Sequence, residues 1–129
     1  MAKKEFTYRG KKIEELQKMD LEEFAKILPS SQRRKLKRGL KEVEKKLIKT
    51  AKTHTGHKPI RTHARDMIIL PEFVGKRFAI YNGKDWNIIE VMPEMIGHVI
   101  GEFSLTRKKI SHSGPGIGAT RGTKFTSVK

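Results

Sequence analysis

The chain has 129 residues, the size of one ordinary domain, and 36% of them are hydrophobic, so we expect a folded core. Its 29 Lys and Arg residues outnumber 14 Asp and Glu residues and leave a formal net charge of +15, which indicates a polyanionic partner. Because the chain contains no cysteine, its composition excludes disulfides, thiolate metal sites and cysteine nucleophiles.

The positive charge is concentrated on both sides of a nearly neutral centre. Residues 1–23 carry equal numbers of acids and bases, whereas residues 24–41 and 45–65 each contain seven bases and no acid. Residues 66–102 hold six acids and three bases, and residues 103–129 return to six bases and no acid. Like charges without acids nearby repel one another, so this arrangement also indicates a partner that neutralises them.

The N-terminal segment, residues 1–52, is predicted to be a helical basic extension that ends in a packing helix. Apolar residues at helical spacing predict two short helices that meet near Met19. A basic helical segment is predicted over residues 32–38 and ends at Gly39. Residues 40–51 place a thin apolar stripe on a lysine-rich helix, which indicates that this helix packs against the rest of the protein.

Residues 53–105 are predicted to form a central module, which makes the chain a member of the α+β class. Short extended segments are predicted at residues 60–63 and 66–70. The pair Asn82-Gly83 lies between alternating apolar residues and predicts a hairpin, because both residues tolerate positive φ angles. These segments together predict a small, three-stranded and mostly antiparallel sheet.

The end of the chain changes in character after a short helix that is predicted to begin at Pro93. Residues 106–129 are rich in glycine and bases, and we expect a flexible basic tail there because such sequence buries too little surface to fold alone. No apolar run is long enough to cross a membrane, and the first residues lack the pattern of a signal peptide. We therefore expect a soluble, unsecreted protein.

No group of residues predicts catalysis, a metal or a cofactor. His54 and His57 have the spacing of two metal ligands, but no cysteine accompanies them and the carboxylates lie elsewhere in the sequence. One rival hypothesis is a small RNA-processing enzyme that uses Asp66, Glu90, Glu94 or the histidines, although no nucleophile with its base can be recognised. The other rival is an architectural DNA-binding protein, which the same charge would suit.

Folded RNA is favoured as the polyanion. Basic arms beside a small α+β module suit the irregular helices, loops and bulges of RNA better than a uniform DNA duplex. The few aromatic residues lie mostly in core-like positions, and neither a helix-turn-helix nor an aromatic RNA-binding signature is found. Contacts to phosphates are therefore favoured over the reading of bases.

Several sequence blocks resemble the small-subunit ribosomal protein S-nineteen (S19) family. The clearest blocks are residues 58–65 (Lys-Pro-Ile-Arg-Thr-His-Ala-Arg), 69–75, 79–83, 94–98 and 101–107. Three further blocks, at residues 6–10, 32–40 and 115–120, are similar to the archaeal and eukaryotic cytosolic branch of that family.

The resemblance implies a structural, non-enzymatic protein of the small-subunit head in the cytoplasmic ribosome. It implies binding to small-subunit ribosomal RNA, pairing with the neighbouring S-thirteen family protein, and contact with large-subunit components at a bridge. The tail of such a protein reaches towards tRNA.

The predicted RNA contacts fall into three sets. The basic loop of the family corresponds to Lys58, Arg61, Thr62, His63 and Arg65. The helical extension adds Arg33, Arg34, Lys35, Lys37 and Arg38. The remaining candidates are Lys49, Lys52, Lys76, Arg77, His98, Arg107, Lys108, Lys109, His112 and Arg121. For the three histidines, phosphate contact, stacking and a plain surface position all remain open.

Overall fold

The computed structural model describes residues 6–109 and begins with a small hairpin. Its strands, β1 (Thr7–Tyr8) and β2 (Lys11–Lys12), pair antiparallel across Arg9 and Gly10. Both turn residues have positive φ angles, 49° and 83°, as a two-residue hairpin turn requires. With only two residues in each strand, this hairpin has no alternating pattern from which it could be predicted.

Four helices follow where the sequence predicted helical structure. They are α1 (Ile13–Lys18), α2 (Leu21–Ile27), α3 (Ser30–Arg38) and α4 (Glu42–Thr53). Helix α3 ends at Gly39 as predicted, and the φ angle of 96° at this residue favours glycine.

A three-stranded sheet completes the α+β fold, and the predicted class is confirmed. The strands β3 (Ile60–Thr62), β4 (Arg77–Tyr81) and β5 (Trp86–Glu90) lie in that order across the sheet. The predicted hairpin is formed by β4 and β5, which pair antiparallel. However, β3 runs parallel to β4, so one of the two strand pairs departs from the antiparallel expectation. Residues 63–76 connect these strands and are long enough for the crossover that a parallel pair needs.

The segment at residues 66–70, predicted to be extended, does not form a strand of the sheet. Residues 67–70 are all buried, and Ile68 makes only an isolated bridge to Val99. A half-buried strand alternates buried and exposed side chains, whereas this segment is enclosed on all sides. Its apolar run therefore indicated burial and not sheet pairing.

The same turn occurs twice in the chain, once at the end of this buried segment and once directly after β5. Residues 69–76 read Ile-Leu-Pro-Glu-Phe-Val-Gly-Lys, and residues 91–98 read Val-Met-Pro-Glu-Met-Ile-Gly-His. In each copy the proline begins a 3-10 turn, and the glycine has a positive φ angle, 79° at Gly75 and 83° at Gly97. The short helix predicted at Pro93 is therefore a single 3-10 turn.

The two copies are joined by reciprocal backbone hydrogen bonds. Gly75 N–H donates to Val91 O at 2.9 Å, and Gly97 N–H donates to Ile69 O at 3.1 Å. Val91 N–H in turn donates to Lys76 O at 3.0 Å, as Ile69 N–H does to His98 O at 2.8 Å. Each bond of one copy has a counterpart at the equivalent residues of the other, so the pair has an approximate twofold symmetry.

One hydrophobic cluster joins the helices to the sheet and the paired turns. Its fully buried members include Leu16, Phe24 and Leu28 from the helical segment and Phe73, Phe78, Ile80 and Ile96 from the central module. Gln17 Nε2 also donates to Pro71 O at 3.3 Å, which ties α1 to the first turn. None of the helices within residues 6–109 has the length and apolarity needed to cross a membrane.

Candidate nucleic-acid interface

Helix α3 presents three basic side chains to solvent. Arg34, Lys37 and Arg38 are exposed and have no ion-pair or hydrogen-bond partner among residues 6–109. Arg34 and Arg38 lie one helical turn apart and line a groove together with Lys41 and Asp66. A rigid helix thus holds a cluster of positive charge in a form that suits a phosphate backbone.

The other two predicted cations of α3 have partners inside the protein. Arg33 Nη2 donates to Leu28 O at 3.2 Å. Lys35 Nζ lies 2.5 Å from Glu44 Oε1, and it also donates to Asp66 O. The Glu44 side chain is only 2% exposed, and a buried carboxylate needs such a partner. Lys35 therefore fastens α3 to α4, while Arg34, Lys37 and Arg38 on the same helix face outward.

The lysines of α4 and of the following loop divide in the same way. Lys49 and Lys58 are exposed and have no side-chain partner in the part of the chain that the structure describes. Lys52, by contrast, pairs with Glu72 at 3.1 Å. Lys45 and Lys46 are as open as Lys49 but were not predicted as contacts, because the lysine-rich helix has no pattern that marks them.

Arg65 is surrounded by carbonyl groups of the protein itself. Its Nη1 donates to Tyr81 O at 2.7 Å, and its Nη2 donates to Gly101 O at 3.0 Å and to Ser104 O at 2.5 Å. These carbonyls belong to the end of β4 and to a 3-10 turn, Ile100–Phe103, with the residue after it. The guanidinium therefore joins three segments of the fold.

Two more of the predicted contact residues use their polar atoms internally. Thr62 is buried, and its Oγ1 accepts the N–H of Ala64 at 3.0 Å. Lys76 is half-buried, and its Nζ donates to Ala51 O in the last turn of α4.

Arg61 and His63 lie beside two aromatic rings at one end of the sheet. The His63 ring centroid is 4.8 Å from that of Tyr81 and 5.0 Å from that of Trp86, and the last two are 5.3 Å apart. Arg61 Cζ lies 5.5 Å from the centroid of the Trp86 ring. Trp86 is 37% exposed and is an exception to the expectation that aromatic residues lie mostly in core-like positions.

The remaining candidates lie near the end of the described chain or on the sheet. Three have acidic neighbours: Arg77 lies 3.6 Å from Glu90, His98 lies 2.8 Å from Glu102 and Lys108 lies 3.7 Å from Asp85. Arg107 and Lys109 are exposed and have no partner within residues 6–109. His112 and Arg121, with most of the predicted tail, lie outside the described residues.

The carboxylates of the enzymatic hypothesis do not converge on one site. Asp66 lies 3.7 Å from Lys41, Glu90 faces Arg77, and Glu94 is exposed. Within the described residues, no three His, Asp or Glu side chains are close enough together to hold a metal ion.

Comparisons with known proteins cover nearly the whole chain. Residues 34–112 match the family model of ribosomal protein S19. The chain is 53% identical over 127 residues to the small ribosomal subunit protein uS19 of Methanocella arvoryzae, which covers 98% of this chain and 89% of that protein. It is 52% identical over 129 residues to the uS19 proteins of two Halobacterium salinarum strains, which covers 97% of this chain and 92% of theirs.

Proposed function

Because the chain belongs to the ribosomal protein S19 family, of the archaeal type, we propose that it binds small-subunit ribosomal RNA as a non-enzymatic component of the ribosome in the cytoplasm. The RNA contact is made mainly to backbone phosphates. The names of the relatives place them in the small ribosomal subunit, and the charge of this chain supports the same assembly.

The observation that carries this proposal is a set of exposed basic side chains without partners among residues 6–109. Among these side chains, we call Arg34, Lys37, Arg38, Lys45, Lys46, Lys49, Lys58, Arg107 and Lys109 the open cations. An isolated protein gains nothing from cations held on separate rigid elements without counter-charges, whereas RNA phosphates neutralise them and release condensed counterions.

The candidates with internal partners have a different role in this proposal. Arg65, Lys35 and Lys76 hold segments together and so position the open cations of neighbouring elements. The family resemblance further supports a place in the head of the subunit, next to the S-thirteen family protein and a bridge to the large subunit, with the tail near tRNA.

The test is the salt dependence of binding to small-subunit ribosomal RNA. Each phosphate contact adds roughly 0.7 to 0.9 to the slope of log affinity against log salt concentration. Changing Arg34, Lys37 and Arg38 together to Gln should therefore weaken binding and lower this slope by about 2 to 3. The same change at Arg9, Lys18 and Lys26 is the matched control, since these residues are exposed cations outside the predicted contacts.

Two results would contradict the proposal. One is an affinity that does not depend on salt. The other is an equal loss of affinity in the control variant, because net charge and not the α3 surface would then explain binding. Competition with duplex DNA tests the architectural alternative: DNA should fail to displace the folded RNA at equal phosphate concentration.

A further inference from the structure

Three ring side chains form a partly exposed cluster that has no role in the phosphate binding proposed above. His63 follows β3, Tyr81 ends β4, and Trp86 begins β5 directly opposite Tyr81 in the sheet register. Tyr81 is fixed at both ends, since its Oη donates to Gly83 O at 2.7 Å and its carbonyl accepts a hydrogen bond from Arg65. The sheet thus holds the rings in place before any partner arrives.

Arg61 lies over the Trp86 ring but is not otherwise held. Its side chain is exposed and has no ion-pair or hydrogen-bond partner in the described part of the chain. An exposed cation–π contact is weaker than the stacking of a base on an aromatic side chain. A base can therefore take the place of the guanidinium on the ring, and Arg61 is then released to pair with a phosphate.

A groove beside Trp86 supplies further positive charge. Its lining includes Trp86, Leu105, Arg107, Lys108 and Lys109, together with the single acid Asp85. Arg107 and Lys109 are open cations, whereas Lys108 faces Asp85. A ring surface bordered by free cations matches a single nucleic-acid strand, which presents a flat base next to a negative phosphate.

We propose that the ring platform, His63, Tyr81 and Trp86, stacks an unpaired nucleobase of the bound RNA, while Arg61 and Arg107 contact the adjacent phosphates. The inference rests on the RNA binding proposed above and specifies the form of the RNA at this site. A loop, bulge or single strand is required here, because bases within a continuous helix are already stacked on one another. Every base has a flat π face, so we expect no strong base preference.

The composition of the chain provides a direct probe. Trp86 is the only tryptophan in the sequence, so intrinsic tryptophan fluorescence reports on the ring platform alone. The full chain is titrated with small-subunit ribosomal RNA, and binding is followed in parallel by filter retention. It is also titrated with a short single-stranded oligoribonucleotide and with an abasic strand of the same length. We expect both RNAs to quench the fluorescence and the abasic strand to leave it unchanged.

A set of variants tests the same contact through affinity for the ribosomal RNA. Trp86→Ala should lower the affinity by roughly 5- to 100-fold. The salt slope should not change, because no phosphate contact is removed. Trp86→Phe should keep most of the affinity. Val43→Ala is the control, since Val43 is an exposed apolar residue on α4 that lies outside the ring platform, and thermal melting shows whether each variant is folded.

The outcomes separate this inference from the proposed function. Salt-dependent binding with unchanged fluorescence, or with full affinity in Trp86→Ala, overturns the ring platform and leaves phosphate binding intact. Equal quenching by the abasic strand, or a lower salt slope in folded Trp86→Ala, also overturns it. Failure of the unaltered chain to bind the ribosomal RNA at any salt concentration overturns the proposed function itself.

Discussion

Basic side chains with the same charge have different surroundings in this protein. Arg34 is exposed and has no partner among residues 6–109, whereas the Arg65 guanidinium donates to three backbone carbonyls. A sequence shows the residue type but not these neighbours, which come from distant segments. We therefore expect a substitution of Arg65 to affect mainly folding, and a substitution of Arg34 to affect mainly RNA binding.

Replacing Arg65 should mainly damage the fold. Arg65→Ala leaves carbonyls of the sheet and of the following turn without their donor, and hydrogen bonds to charged groups contribute about 1.5 to 3 kcal/mol each. Because Arg65 is partly exposed and water replaces some of these bonds, we expect the free energy of unfolding to fall by about 2 to 4 kcal/mol. Urea denaturation followed by circular dichroism measures this change.

Arg34→Ala is the matched comparison. The free energy of unfolding should stay within about 0.5 kcal/mol of the original value, as for other exposed positions. The salt slope of RNA binding should fall by roughly 0.7 to 0.9, the contribution of one phosphate contact. A destabilisation of Arg34→Ala equal to that of Arg65→Ala would show that the division between open and internal arginines is wrong.

The ion pair between Lys35 and Glu44 gives a second prediction at this scale. Lys35→Met leaves the buried Glu44 carboxylate without its counter-charge, and we expect the free energy of unfolding to fall by about 2 to 4 kcal/mol. This is somewhat less than the loss expected for a fully buried pair, because the Lys35 side chain is 26% exposed. Lys37→Met, on the same helix but without a partner in the described chain, should change stability by less than about 0.5 kcal/mol. Chemical denaturation of both variants provides the measurement.

A double variant shows whether the cost comes from the stranded charge. Lys35→Met with Glu44→Leu removes the buried carboxylate as well, and apolar replacements of a buried pair are often neutral. The double variant should therefore be more stable than Lys35→Met alone. If it is not, the salt bridge is not the reason that Lys35 matters.

At the scale of elements, the paired turns allow one substitution to be made in two equivalent places. Gly75 and Gly97 have almost the same φ angle, so a side chain at either residue costs about 1 to 2 kcal/mol of backbone strain. Their surroundings differ. A Cβ at Gly75 meets nothing within 4 Å, whereas a Cβ at Gly97 lies 2.7 Å from Tyr8 Oη and 3.1 Å from Leu28 Cδ2.

Gly97→Ala should therefore destabilise the protein more than Gly75→Ala. The Tyr8 ring can move aside, but Leu28 is fully buried, and overpacking adds about 1 to 2 kcal/mol. Thermal melting of the two variants side by side measures the difference, with Gly75→Ala accounting for the strain that they share. Equal melting temperatures would mean that the first hairpin and α2 do not pack tightly against the second turn.

The elements that were predicted correctly are those with a local signal. Helical spacing located α1, α2 and α4, Gly39 marked the end of α3, and Asn82-Gly83 located the β4–β5 hairpin. The paired turns and the β1–β2 hairpin have no hydrophobic period, so periodicity did not reveal them. The parallel pairing of β3 depends on a crossover through the core, which is a tertiary property.

At the scale of the whole molecule, the charge indicated a polyanion, but the fold decides which cations are available. Lys35, Arg65 and Lys76 were predicted as contacts on charge or resemblance, and each has an internal partner. Trp86 was not predicted as a contact, because only the strand register brings it beside Tyr81 and His63. The composition therefore indicates a class of partner, whereas the side chains that are free to contact it depend on the fold.

The hydrophobic cluster makes a prediction about truncation. Leu16, Phe24 and Leu28 are fully buried against residues of the central module, and burial of such side chains contributes about 1.5 to 3 kcal/mol each. Their combined contribution of about 5 to 9 kcal/mol is close to the entire stability of an ordinary domain. A fragment of residues 41–129 should therefore lose its cooperative thermal transition, as followed by circular dichroism.

The opposite truncation is the control for this experiment. Removing residues 110–129 takes away no residue of the described cluster, which extends from Leu16 to Ile100. We expect the remaining chain, residues 1–109, to melt cooperatively near the temperature of the full chain. A cooperative transition in residues 41–129 would instead show that α4 and the central module fold without α1, α2 and α3. Residues 1–40 would then be an added RNA-binding element, whereas a failure to fold makes α1, α2 and α3 part of the scaffold that holds the sheet in place.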